Sequence, residues 1–98
     1  VMTPAYVIAD VKVSNPDQYR HYTALTPAAV AAAGGEFVVR GGRTAVLEGN
    51  WSPSRVVVIR FQSFEAAQAF YDSALYREAR GKRAGATDHF NMIIAEGI

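Results

Sequence analysis

Cysteine is absent from the 98 residues, which excludes a disulfide framework, a thiolate nucleophile and a Cys-based metal site. Long apolar runs are absent too: none approaches the roughly 20 residues of a membrane-spanning helix, so a membrane is not an expected partner. Excess charge of either sign is also lacking. Ten Lys and Arg stand against nine Asp and Glu, a formal net charge of +1, which gives no electrostatic reason to expect nucleic acid or an anionic lipid surface. The first residues lack the basic-then-apolar pattern of a signal peptide, and a cytoplasmic location is the expectation. The two histidines, His21 and His89, lie on separate segments with no carboxylate repeat beside them. That is not metal-ligand spacing, and neither a metal nor a tightly bound cofactor is expected. The glycine pairs Gly34-Gly35 and Gly41-Gly42 lack a Lys-Ser/Thr ending and the GxGxxG spacing, so they do not form a phosphate loop.

Half of the residues are hydrophobic and 19% are charged, the balance of an ordinary folded domain. No repeat, low-complexity tract or linker divides the chain, and residues 1–98 read as one domain. A domain this short buries roughly 60–65% of its unfolded surface, so its core is thin. Alternation from Ala5 to Val13 reads as a strand with one wholly apolar side and one mixed side. Asn15-Pro16-Asp17 starts a helix, with Asn15 as cap and Pro16 at its first position. Its buried stripe is Tyr19, Tyr22, Thr26, Val30 and Ala33. Pro27 is expected to kink it, and Gly34 to end it.

Glu36 to Arg40 reads as a second strand. At Gly41-Gly42 a bulge within one long strand reaching toward Leu47 is favoured over a hairpin, because a hairpin would reverse the direction of everything downstream. Asn50 to Ser54 is a loop, and Arg55 to Phe61 is the clearest strand. Ser63 caps a second helix through Phe64, Ala67, Phe70 and Tyr71, with a helical or irregular continuation through Arg83. Thr87 to Glu96 is the last strand. The order gives an α+β, ferredoxin-like βαββαβ fold with an antiparallel sheet.

Both helices of such a fold lie on one side of the sheet. They are expected to cover Val7, Ala9, Val11, Val57, Ile59, Phe61, Phe90, Met92 and Ile94. The other face then carries Tyr6, Ile8, Val38, Val56, Val58 and Ile93 among Asp10, Arg40, Arg60, His89 and Asn91. Six sizeable apolar side chains in one patch exceed what a monomer ordinarily exposes. Covering several hundred square ångströms at ~25 cal/mol per Å² is worth several kcal/mol before association costs. Face-to-face homodimerisation is the expectation, against a half-solvated sheet.

A set of residues spread along the chain supports this reading. Tyr6-Val7-Ile8, Asn15-Pro16 with Tyr19 and Tyr22, Gly34-Gly35, Arg40-Gly41-Gly42, Leu47-Glu48-Gly49 with Trp51, Val57-Val58-Ile59 with Phe61, Tyr71 with Ser73 and Tyr76, and Glu96-Gly97 together resemble DUF1330, a family of unknown function. The resemblance implies the dimeric α/β-barrel superfamily, in which the sheet of one subunit packs on that of its twin. It implies no particular reaction: cofactor-independent monooxygenases, lactone isomerases and haem-handling enzymes share the architecture.

If the mixed face lines a barrel, Asp10, Arg40, Arg60, Asn91 and Trp51 are the candidate substrate-binding residues and His89 the candidate catalytic one. Pairing of the first strand with the last brings Asp10 near Asn91 and Lys12 near His89. An Arg clamp with His89 as proton carrier suits a small carboxylate or enolate. The competing reading gives these polar residues only the task of fixing dimer register. Tyr22, Trp51, Tyr71 and Tyr76 either rim a pocket or fill the core. Whether the chain is an enzyme stays open at this level. If it is one, a cofactor-independent oxygenase or isomerase is the class implied.

Overall fold

The computed structural model describes residues 3–98. Strand β1 (Ala5–Val13) leads into helix α1 (Pro16–Ala32), followed by β2 (Glu36–Arg40), β3 (Arg55–Phe61), α2 (Phe64–Asp72), α3 (Ala74–Lys82) and β4 (Thr87–Glu96). The sheet order is β2-β3-β1-β4, and every neighbouring pair is antiparallel. Helix α1 carries the chain from β1 past β3 to the edge strand β2. Helices α2 and α3 carry it from β3 past β1 to the opposite edge. This is the ferredoxin-like split β-α-β arrangement expected from the sequence.

Local chemistry explains the element ends. The Asn15 side chain accepts from the Gln18 N–H at 3.1 Å, with Pro16 just inside the helix. Gly34 adopts φ 74°, the left-handed conformation that closes α1. Ser63 caps α2 through the Ala66 N–H at 3.1 Å. The continuation that the sequence left open is a separate helix, broken at Ser73. That hydroxyl donates to the Phe70 carbonyl of α2 and accepts the Tyr76 N–H of α3, ending one helix and starting the next.

The helix-facing side of the sheet is the predicted one. Ala5, Val7, Ala9, Val11, Ile59 and Phe61 are buried, with Val57, Phe90, Met92 and Ile94 packed against them. Tyr19, Tyr22, Ala29 and Val30 of α1 join Ala67, Phe70, Tyr76 and Ala79 of α2 and α3 above. No helix among the described residues is long and apolar enough to cross a membrane.

One expectation changes. The bulge is not at Gly41-Gly42: the β2–β3 register slips between Phe37 and Val39, and the strand ends at Arg40. Gly41, at φ 72°, turns the chain out of the sheet while its N–H still bonds the Val56 carbonyl, so residues 42–54 form a long loop instead of more strand. Pro27 lies within helix α1, which continues to Ala32. Pro27 has no N–H to offer the Thr23 carbonyl one turn back. That carbonyl instead accepts from Arg40 at 3.3 Å and from the Thr26 hydroxyl at 3.4 Å.

Candidate functional site

The open face of the sheet brings three of the predicted residues into contact. Asp10 faces outward from the central strand β1, opposite Val56 on one side and Asn91 on the other. His89, two residues before Asn91 on β4, lies diagonally within reach of it. One Asp10 oxygen is 3.2 Å from His89 Nε2, and the other accepts the Trp51 indole N–H at 3.0 Å. Trp51 comes from the long loop, and this is how the loop is fastened over the sheet. Its ring is otherwise 63% exposed. The Asp10 side chain is 15% exposed and that of His89 41%.

The electrostatics follow from those contacts. The Trp51 hydrogen bond, seconded by the hydrogen bond and charge of His89, holds the Asp10 carboxyl below its ordinary value of 3.8, against a smaller opposing effect of burial. Asp10 is therefore a carboxylate at neutral pH. The carboxylate favours a hydrogen on His89 Nε2, an arrangement in which Nδ1 of the neutral ring is the acceptor nitrogen. Beside the cluster, the loop and Val56 enclose an apolar groove of about 320 Å³, lined by Val46, Leu47, Trp51 and Pro53 among others.

The remaining predicted residues do not join these contacts. Asn91 is exposed beside Asp10 on the same face. Arg60 also points from the open face, but it sits opposite Tyr6, four residues along β3 from Val56, or roughly 13 Å away at about 3.3 Å per residue. Its partner is Glu36, at 3.7 Å. Arg40 is on the opposite side of the sheet from the one expected. The slip at Val38 reverses the alternation, so Arg40 pairs opposite Val57, stacks 4.5 Å from the Phe37 ring and reaches Thr23 of α1. His21 is exposed on α1, and Glu48 is exposed in the loop. Among the described residues, no group of three His, Asp or Glu side chains is placed to hold a metal.

The helix side holds a second polar cluster. Tyr22 and Tyr76 share a buried hydroxyl–hydroxyl hydrogen bond of 2.7 Å. They line an enclosed cavity with Tyr19, Thr26, Arg40 and Arg55. The cavity measures about 20 Å³, room for about one water and no substrate. Burial raises the Tyr19 phenol, and it raises Tyr22 further with help from Tyr76, so both stay protonated. Of the aromatics weighed as pocket or core, Tyr22 and Tyr76 are core, whereas Tyr71 is exposed on α2. Arg55 went unremarked in the sequence. The alternation that places Val57, Ile59 and Phe61 on the helix side places residue 55 there as well, with its Nε buried and without an acceptor among the described residues.

The comparisons agree with this fold. A protein of unknown function from Rhodopseudomonas palustris is 20% identical, with a TM-score of 0.75 over 100% of this chain and 85% of that one. A dimeric ferredoxin-like protein of unknown function from Jannaschia is 16% identical, with a TM-score of 0.71 over 95% of this chain and 98% of that one. SnoaB, a cofactor-independent oxygenase from Streptomyces nogalater, is 15% identical, with a TM-score of 0.67 over 95% and 91%. Likeness at these identities carries the fold alone. No curated protein matches the chain. The family model described as domain of unknown function DUF1330 matches residues 4–98, nearly the full length, and the chain belongs to that family.

Proposed function

We propose that the protein is a homodimer, paired through its open sheet faces, that binds and transforms a small organic molecule beside Trp51, Asp10 and His89 without a tightly held cofactor. The observation that carries this reading is the Asp10 carboxylate gripping His89 and Trp51 at once, next to an apolar groove. In such a dyad the carboxylate orients the imidazole and stabilises the imidazolium formed when His89 takes a proton. The exposed indole face gives a planar ligand a stacking surface. A groove near 320 Å³ is at the small end of ligand sites, which run from about 300 to 1,000 Å³.

Pairing is supported by the apolar character of the same face. Ile93 is 60% exposed and Val39 38% exposed, while Tyr6, Ile8, Val56 and Val58 are only half-covered. The likeness to a ferredoxin-like protein described as dimeric points the same way. A cofactor-independent oxygenase among the structural neighbours makes that chemistry the first to try. A second reading has one observation in its favour: both Asp10 oxygens are already engaged within the chain. On that view the cluster only pins the loop and sets the register of a non-catalytic dimer.

Thermal-shift screening of the purified protein against hydroxylated aromatics, lactones and quinones, in air, separates the two. The proposal expects hits whose stabilisation falls in His89→Ala and Asp10→Asn. It also expects turnover, followed by chromatography, that is lost in His89→Ala. A flat response across the panel refutes it. Hits bound equally well by both variants refute the assignment of the site.

A further inference from the structure

A second groove lies on the other side of the sheet. It measures about 560 Å³ and runs between the helices and the edge strand β4, lined by Phe64, Tyr71, Arg80, Arg83, Phe90 and Met92. Its two arginines are one helical turn apart at the end of α3, so they project from the same side of that helix. Arg83 lies 3.7 Å over the Phe90 ring and 5.2 Å from Tyr22, and Arg80 lies 4.4 Å over Tyr71. The rings hold both guanidinium groups at the groove wall.

Neither charge is neutralised there. The ion pairs among the described residues are Lys12–Asp88, Arg20–Asp17, Arg60–Glu36 and His89–Asp10, and none involves Arg80 or Arg83. Arg83 Nε is withdrawn from solvent with no acceptor. From Arg77 to Arg83 there are four cations and one acid, in a chain whose net charge is only +1. A partly desolvated guanidinium without an acceptor is a costly arrangement that an anion relieves. The negative end of α3 opposes an anion, but that effect is small at an exposed helix end beside two full positive charges.

We propose that this groove is a binding site, separate from the Asp10–His89 cluster, for a carboxylate with an apolar body. The carboxylate takes the forked donors of Arg83 and Arg80, which match its planar geometry better than a lysine would. The body lies on Phe90, Tyr71 and Met92. Bound carboxylate supplies the acceptors that the arginines lack, and the apolar walls exclude water from the pair. The groove lies mainly on the helix side; Ile93, which pairs opposite Ile8, is its one lining residue from the open face.

The test is titration of the full chain with phenylacetate and octanoate, with phenylacetamide as the uncharged control, followed by calorimetry and by backbone amide shifts. The expected result is saturable binding of both acids, weakened by salt, with shifts centred on Arg80, Arg83, Phe90 and Met92 and little response to the amide. Arg83→Met weakens binding by about tenfold or more and Arg80→Met by a smaller factor, as expected for lost charge-assisted hydrogen bonds. Asp10→Asn leaves it unchanged. If Arg83→Met does not fold, the wild-type shift map and Arg80→Met decide the matter. The proposal is overturned if neither acid binds, if the amide binds as well as the acid, or if the shifts centre on Asp10 and His89.

Discussion

The buried Tyr22–Tyr76 pair offers a quantitative test of how the helix layer is fastened to itself. Both rings are nearly inaccessible, at 6% and 1% exposure, and their hydroxyls bond each other at 2.7 Å. Tyr→Phe removes one oxygen and leaves no cavity of consequence, so the cost is that of stranding the partner hydroxyl. The two positions differ in what the survivor can still reach. After Tyr22→Phe, the Tyr76 hydroxyl keeps the Met92 sulfur at 3.9 Å, a weak acceptor. After Tyr76→Phe, the Tyr22 hydroxyl has no other partner among the described residues. An unsatisfied buried hydroxyl costs about 1–3 kcal/mol. We expect about 2 kcal/mol for Tyr76→Phe and about 1 kcal/mol for Tyr22→Phe. A single water in the adjoining cavity moves the first value toward the lower end. The double variant strands nothing and should cost less than the sum. Urea unfolding at one fixed protein concentration measures all three, and fixing the concentration matters because the proposed pairing would stabilise by mass action. At about 4–8 °C per kcal/mol for a domain this size, the thermal midpoints separate clearly. Strict additivity, or a larger loss at Tyr22 than at Tyr76, refutes the reasoning.

Further outcomes follow from other contacts. Asp10 titrates below 3.8 in the folded chain, so its contribution to stability is present above that pH and is lost as pH falls through the lowered value. Asp10→Asn should remove that part of the acid sensitivity, read as a flatter dependence of the urea midpoint on pH. A Cβ added at Gly35 would sit 2.6–3.0 Å from the fully buried Phe61 ring. Gly35→Ala should therefore destabilise by about 1–3 kcal/mol of overpacking in chemical denaturation. Ile93→Arg should leave subunit stability within about 0.5 kcal/mol, yet sedimentation should return a 10.6 kDa particle in place of a dimer. Pro27→Ala restores an N–H to the Thr23 carbonyl, so Arg40→Ala should cost less in that background than in the wild type, a coupling read from a double-mutant cycle.

Much of the fold was legible because period-2 alternation survives along β3, in β1 as far as Lys12 and in β4 from His89 onward, with a slip only at Asp88. There the identity of each inward residue follows from its neighbours two positions away. The same rule brought Asp10 beside Asn91 and Lys12 beside His89. It failed in β2, where one extra residue at Val38 exchanged the faces downstream and carried Arg40 to the helix side. A slip of that kind is set by strand pairing, which no local pattern in EFVVRGG reports. The destination of Trp51 was equally hidden, since a loop residue's partner depends on where the loop folds back. Its isolation in a polar segment marked it as unusual; only the structure joins it to Asp10. The role of Pro27 also emerged from combination: the N–H it lacks leaves the Thr23 carbonyl of α1 free to accept from an arginine on β2.

The two faces of the sheet divide the chemistry. On the helix side the phenols are held protonated and the enclosed space is about 20 Å³, so those groups serve as hydrogen-bonding core and are poor bases at neutral pH. The ionised acid and the titratable base are both on the open side. In an isolated subunit His89 is 41% exposed, and solvent screening there keeps the Asp10–His89 interaction weak. A subunit seated on that face would exclude water, lower the local dielectric and strengthen the hold of Asp10 on an imidazolium. It would also roof the groove beside Trp51. On the proposed reading, pairing and chemistry are therefore one property: Ile93→Arg should abolish turnover together with the dimer, although residue 93 is not a hydrogen-bond partner of Asp10 and does not line the groove beside Trp51.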